Sequence, residues 1–155
     1  MTPCMCDKDI MRIHLDSETD TRSNAENGRF EFDINLPVKR NTYKKFVLYV
    51  DDFDIQTKGL ATDSYILHGN FQEYNTFNSR TKASNTVLAS MFANATGTGR
   101  TTDFALNYQG PTKPIIIQNI PDTIVLEIKD IDNTGVNFSS AENFWLVDLR
   151  IEAYY

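Results

Sequence analysis

The stretch Phe144–Tyr155 constrains the fold of this chain more than any other. It reads F-W-L-V-D-L-R-I-E-A-Y-Y, and from Trp145 onward every second residue is apolar or aromatic. Asp148, Arg150 and Glu152 take positions between them, which is the two-residue period of a β-strand with one buried face. Because one strand cannot bury that face by itself, it requires partner strands elsewhere in the sequence.

The same alternation recurs along the chain and predicts an all-β fold. Arg29–Leu36 is the clearest case, with Phe30, Phe32, Ile34 and Leu36 on one face, and it ends before Pro37. Further strands are predicted over Asp9–Asp16, Phe46–Ile55, Tyr65–Gly69, Thr86–Phe92, Phe104–Tyr108, Ile115–Ile117 and Thr123–Lys129. Eight or nine short strands separated by turn residues favour an antiparallel β-sandwich of jelly-roll or Greek-key type.

Two of these segments carry additional information. Phe46–Val50 is apolar without interruption, which indicates a strand covered on both faces, in the middle of a sheet or beneath a partner chain. The apolar residues of Thr86–Phe92 also fit a helical face, with Ser84 as a cap. The segment is short and its surroundings are rich in strands, so we interpret it as a strand.

The connections are read from polar and turn-forming residues. Ser17–Gly28 contains no large apolar side chain and is predicted to be a solvated loop. Asp130–Asn143 is predicted to be a long turn that leads into the final strand. Within Phe46–Ile55, a regular strand would point Asp51 away from the side that carries Asp52 and Asp54.

Length and charge limit the classes of function. At 155 residues and 17.7 kDa the sequence fits one domain, predicted over residues 10–155 after a flexible N-terminal segment, residues 1–9. The net charge of −6 disfavours nucleic-acid binding. No signal peptide and no apolar run of membrane-spanning length is recognised, so synthesis as a soluble protein without membrane insertion is expected. Cys4 and Cys6 are interpreted as free thiols in preference to an intermolecular cross-link or a metal site.

One segment imitates a calcium site. Asp130-Ile-Asp-Asn-Thr-Gly135 has oxygen ligands two residues apart and a glycine at the sixth place of a calcium loop. The closing acidic residue is out of place, because Ala141 stands at the twelfth position and Glu142 follows one residue late. We therefore favour a turn in which Asp and Asn bond the backbone, and assign Asp130 and Asp132 no metal.

Other candidates carry weaker chemistry, and each has a structural interpretation that we favour. Phe71, Tyr74 and Phe77 could stack on a sugar or a partner surface, but more often such aromatics close the end of a sandwich. His14 and His68 lack a recognisable nucleophile. The remaining candidates are interpreted as a charged turn and a flexible loop: Lys39, Arg40, Lys44 and Lys45 around one turn, and Gly97–Arg100. No catalytic residue, cofactor-binding residue or metal ligand is assigned, and no enzymatic activity is expected.

Three blocks of sequence together resemble a known class of proteins. They are the segments Gly28–Pro37 with Tyr43–Ile55, Thr86–Met91 with Pro114–Pro121, and Ile124–Gly135 with Asn143–Glu152. Their order is similar to that of the single jelly-roll structural proteins of large double-stranded DNA viruses, of the minor-capsid or vertex (penton-like) type. The resemblance covers residues 10–155 and rests on strand rhythm and turn residues.

This resemblance implies a non-enzymatic capsid subunit of the virion. Such a subunit would act as a homo-oligomer, a trimer or pentamer, and through contacts with other capsid proteins. The alternative from a different class is a jelly-roll binding module for carbohydrate or a receptor. In that case Tyr74 and Phe77 would form a stacking platform, and Asp130 and Asp132 would help to hold calcium.

Overall fold

Alternating burial along the strands organises the protein, as a computed structural model shows. The structure describes residues 7–18, 22–34, 43–57, 64–71, 86–92, 104–107, 114–140 and 143–155. These residues contain ten β-strands, one short 3-10 helix at Ala25–Asn27 and no α-helix. The strands are β1 Lys8–Asp16, β2 Arg22–Asn24, β3 Arg29–Asp33, β4 Lys45–Thr57, β5 Ser64–Gly69, β6 Thr86–Phe92, β7 Phe104–Asn107, β8 Ile115–Ile117, β9 Thr123–Lys129 and β10 Phe144–Tyr154.

The strands form two antiparallel sheets with the order of a jelly roll. The first sheet runs β1-β10-β4, and β4 continues on its other edge to both β7 and β8. The second sheet runs β2-β3-β9-β5-β6. Because β8 pairs with the beginning of β4 and β7 with its end, these two strands share one position. With the short β2 set aside, the two sheets have eight strand positions, and the chain crosses between the sheets as in a single jelly roll. The predicted fold class is confirmed.

The core lies between the sheets and is built from the predicted alternation. Trp145 of β10 is fully buried, and its ring meets Phe30 at 4.8 Å and Phe32 at 5.9 Å in edge-to-face contacts. Such edge-to-face pairs add favourable electrostatics to the area that they bury. β4 pairs with β10 on one edge and with β7 and β8 on the other, which confirms its predicted place in the middle of a sheet. β6 confirms that Thr86–Phe92 is a strand.

Several predicted boundaries were wrong. The expected loop Ser17–Gly28 contains β2 and the 3-10 helix, because a short strand can form from backbone hydrogen bonds to β3 without apolar side chains. β3 ends at Asp33, and Ile34 leaves the ladder to donate its N–H to the carbonyl of Asp122. Residues 35–42, which include the predicted end of this strand at Leu36, lie outside the described residues.

β4 contains an irregularity that the alternation did not predict. The pairing with β10 shifts so that Asp148 lies opposite Asp52 while Leu149 lies opposite Val50. Asp51 is therefore the extra residue of a β-bulge. Buried side chains fall at Val50 and then at Phe53, so the bulge brings Asp51 to the same outer side as Asp52 and Asp54. The prediction that Asp51 points the other way was wrong, because it assumed a regular strand.

Candidate interaction surface

The outer face of the first sheet carries an ordered array of charged side chains. We use "outer face" for the side chains of β1, β10, β4 and β8 that point away from the second sheet. The strand register arranges them in five rows, which are Lys8/Tyr154/Lys45, Ile10/Glu152/Val47/Ile116, Arg12/Arg150/Tyr49, His14/Asp148/Asp52 and Asp16/Leu146/Asp54. A single strand pattern would not reveal these rows, because each one joins residues that are far apart in the sequence.

Glu152 is the buried centre of one part of this face. Only 4% of the residue is exposed, and its carboxylate accepts hydrogen bonds from Tyr154 Oη at 2.6 Å, Arg150 Nη1 at 2.8 Å and Lys8 Nζ at 3.1 Å. The Tyr154 hydrogen bond is the largest influence, and with Lys8 and Arg150 it lowers the pKa of Glu152 although burial acts in the opposite direction. The group is therefore held as a carboxylate.

Arg150 connects the three main strands of the face. Its guanidinium binds the Asp51 carboxylate through Nε at 3.0 Å and Nη2 at 3.2 Å and stacks 4.2 Å from the centre of the Tyr49 ring. Arg12 of β1 approaches the same carboxylate at 3.5 Å. Hydrogen bonding to Asp51 raises the pKa of Arg150. The bulge at Asp51 makes this junction, because it directs the carboxylate to the outer face.

The face divides into two halves of opposite charge. The basic half carries four cations and two carboxylates, a net charge of +2, from Lys8, Arg12, Lys45 and Arg150 against Asp51 and Glu152. The acidic half carries four carboxylates, a net charge of −4 with His14 neutral, from Asp16, Asp52, Asp54 and Asp148. Asp148 and Asp52 lie directly opposite each other on neighbouring strands, which is destabilising for like charges. His14 hydrogen bonds Asp148 and offsets part of this cost.

A second polar cluster lies at the Tyr155 end of the sandwich. The Asp9 carboxylate accepts hydrogen bonds from the hydroxyls of Tyr43 and Tyr155, whose rings lie 4.9 Å apart. Tyr155 first and Tyr43 second lower the pKa of Asp9, and Asp9 raises the pKa of both phenols. The cluster ties β1 to the residues that flank β4 and β10.

The calcium-like segment forms a turn that is stabilised by hydrogen bonds from its own backbone N–H groups to the Asp130 carboxylate. Asp130 Oδ1 accepts from the backbone N–H of Asp132 at 3.0 Å and of Thr134 at 2.9 Å, and Asn133 adopts a left-handed conformation at φ 65°. A Cβ at Gly135 would lie 2.0 Å from the carbonyl oxygen of Asn27, so this glycine permits a close backbone approach. Within the described ranges, no three His, Cys, Asp or Glu residues are grouped as a metal would require.

The other candidates are dispersed. Lys44 and Lys45 are exposed, and Lys45 belongs to the outer face. His68 is buried on β5, where burial first and Lys129 second lower its pKa. The rest lie outside the described residues, namely Cys4, Cys6, Lys39, Arg40, Tyr74, Phe77, Gly97–Arg100, Ala141 and Glu142.

Sequence reasoning missed both Glu152 and the division of charge. Glu152 occupies an outward position of β10, as the alternation indicates, yet it is buried by the polar side chains of its neighbours. The signal for the division was the sign of the charge along a strand: Lys8 begins β1 and Asp16 ends it, while Lys45 begins β4 and Asp54 lies near its end. Only the register of β10 with β1 and with β4 shows that the basic ends of these two strands lie side by side.

Comparison with known proteins adds little to this description. No family model and no curated protein matches the chain. A solved structure titled "nora virus structure" aligns with 96% of this chain and 58% of its own, at 13% sequence identity and a TM-score of 0.22. That similarity is too low to carry an argument, and the chain spans less than two thirds of that protein. A search of the described residues found no helix long and apolar enough to cross a membrane.

Proposed function

We propose that this chain is a non-enzymatic viral structural protein, a minor capsid or vertex subunit of the virion. It acts by self-association as a trimer or pentamer and by contacts with other capsid proteins. The observation that carries the proposal is the outer face of the first sheet. A rigid sheet supports side chains of both charges, and Arg150 and Glu152 are fixed there by hydrogen bonds. Fixed, two-signed surfaces favour specific association between proteins, because they select partner and orientation.

The fold supports the same proposal in a different way. A jelly-roll sandwich presents broad sheet faces and strand edges, both of which serve as contacts in symmetric assemblies. Within the described residues, β1 pairs with β10 on one edge only. The proposal comes from this architecture and from the outer face together, because a fold by itself does not determine a function.

The test is the absolute mass of the purified chain by light scattering after size-exclusion chromatography. A reducing agent is included because Cys4 and Cys6 could otherwise cross-link copies. A discrete oligomer whose mass persists on dilution supports the proposal. Purified virus particles probed with an antibody against the chain provide the second measurement. A 17.7 kDa monomer at every concentration, combined with absence from particles, would contradict it.

A further inference from the structure

We propose that the outer face of the first sheet pairs with the same face of a second copy. The two copies are related by a two-fold axis that lies in the plane between the two faces and runs at right angles to the strands. This inference rests on the proposed function, since it names one surface through which copies of the subunit associate. The two-fold contact is additional to the interface that closes a trimer or pentamer, because ring closure uses a head-to-tail contact and a two-fold contact is self-complementary.

The first argument is the sign of the charge along each strand. β1 carries Lys8 at one end and Asp16 at the other, and β4 carries Lys45 and Asp54 in the same sense. The basic and acidic rows are eight residues apart along β10, from Tyr154 to Leu146, or about 26 Å. A two-fold axis across the strands reverses their direction while each strand stays over its own copy. Lys8 then lies over Asp16 of the second copy, and Lys45 lies over Asp54 of the second copy.

The second argument is the row through which the axis passes. The axis lies midway between the Tyr154 and Leu146 rows, at the row of Arg150 and Tyr49. Like charges would meet there, but the Arg150 guanidinium is already balanced by Asp51 and Glu152. Tyr154 comes to lie over Leu146 of the second copy, which places an aromatic side chain against an aliphatic one. The intermediate rows place Glu152 over Asp148 of the second copy, where two like charges meet, but Glu152 is already bonded by Lys8 and Arg150, and Asp148 by His14. The outermost rows are the ones that match under this operation, and their four unlike-charge contacts form together.

The third argument is exposure and size. The face is open in the single chain, since the Arg12 and His14 side chains are 65% and 74% exposed and Ile10 and Ile116 are about half exposed. β10 has eleven residues, about 36 Å, and four strand positions span about 19 Å. Pairing would cover about 700 Å² of each copy, or about 1,400 Å² in total, within the usual size of a specific interface.

The test is the mass of the intact chain as a function of salt and of charge reversal. At about 0.05 M salt we expect twice the mass measured at about 1 M salt, where charges are screened beyond about 3 Å. Lys45→Glu and Asp54→Lys each place like charges opposite each other twice in the interface. Each is expected to weaken the two-fold association about 10- to 100-fold. The double variant Lys45→Glu/Asp54→Lys restores both contacts with the signs exchanged, and we expect it to recover the association.

The controls change the same charges away from this face. Arg29 lies on the second sheet and Asp132 lies in the turn after β9. Arg29→Glu and Asp132→Lys should both leave the mass of the oligomer unchanged. Circular dichroism shows whether each variant is folded, and the salt response of the unaltered chain needs no variant. An oligomer insensitive to salt and to both reversals would overturn the two-fold pairing and leave the proposed function standing. Loss of association without recovery in the double variant would also overturn it. A monomer under all conditions would overturn the pairing, and absence from virus particles would remove the proposed function as well.

Discussion

The two faces of β10 solve different physical problems with alternate residues of the same strand. Inward, Trp145, Val147, Leu149, Ile151 and Ala153 are all at most 1% exposed, and each packs against whatever apolar surface the second sheet offers. Outward, Glu152 and Arg150 depend on named atoms of other strands at hydrogen-bond distance. The stabilisation from apolar burial is non-directional and grows with the buried area. The stabilisation of a hydrogen-bonded charge is lost when a single partner is removed. The inner face therefore supplies most of the stability, whereas the order of the outer face depends on individual hydrogen bonds.

The largest loss in the free energy of unfolding is expected for Trp145→Ala, on the inner face. Removing a fully buried indole leaves a cavity beside Phe30 and Phe32, so we expect a loss of about 3–5 kcal/mol in the free energy of unfolding. The indole Nε1 has no hydrogen-bond partner within the described residues, so the loss is one of packing. Urea denaturation measures it. The matched control is Leu146→Ala, half-buried on the outer face of the same strand, for which about 1 kcal/mol is expected. Equal losses would refute the division of roles.

Glu152→Ala tests the most buried group of the outer face. It leaves Lys8, Arg150 and Tyr154 without their shared acceptor, but all three lie near water and can be partly hydrated. We expect a loss of about 1–2 kcal/mol, below the cost of breaking an ion pair in the core. Glu152→Gln keeps the shape and an acceptor oxygen and should lose less. Thermal and urea unfolding of both variants provide the comparison, and a loss as large as that of Trp145→Ala would contradict it.

The pH dependence of stability isolates the charge of the same residue. The pKa of Glu152 is lowered in the folded protein from an ordinary value of 4.5, so the unfolded chain takes up the proton first as the pH falls. The stabilisation is present above about 4.5 and is lost as the pH falls through the lower, folded value. The free energy of unfolding of the unaltered chain should therefore decline faster below 4.5 than that of Glu152→Gln. Parallel curves for the two proteins would show that the carboxylate contributes nothing.

The smallest effect is expected for Arg12→Ala. Its guanidinium lies 3.5 Å from Asp51 and its side chain is 65% exposed, so solvent screens the pair. We expect a change below about 0.5 kcal/mol in the free energy of unfolding. The same urea measurement serves, with Asp51→Ala as the contrast, because Asp51 also holds Arg150. If Arg12→Ala cost as much as Asp51→Ala, the bidentate contact with Arg150 would not be the important one.

This difference between the faces explains which features the sequence could predict. The two-residue period alone predicts that Val147, Leu149 and Ile151 are buried, and the sandwich was predicted from eight or nine short strands separated by turn residues. Glu152 has the same period as Asp148 and Arg150, so nothing local distinguishes the buried acid from its half-buried neighbours. Its burial depends on Lys8, which lies 144 residues away in sequence and becomes a neighbour only through the register of β1 and β10.

Gly135 and Asp51 each fit a sequence pattern for a reason that the pattern does not show. Gly135 fits the sixth place of a calcium loop, yet its lack of a side chain is required by the carbonyl of Asn27. Asp51, read as one of three acidic residues on a regular strand, is the extra residue of a bulge. The physical cause was missed at both positions for the same reason: the deciding neighbour belongs to another segment, and only the tertiary structure shows it.

The bulge gives β4 two parities. Before Asp51 the even-numbered residues Phe46 and Leu48 face the core, and after it the odd-numbered residues Phe53 and Ile55 do. Each half also has its own neighbour, β8 for the first and β7 for the second. Deleting the extra residue Asp51 would restore regular pairing with β10 and leave both halves facing as they do, but it would remove the carboxylate that binds Arg150. In residue numbers β4 is thus two short segments of opposite parity, and the residue that joins them is a spacer that carries a carboxylate for the outer face.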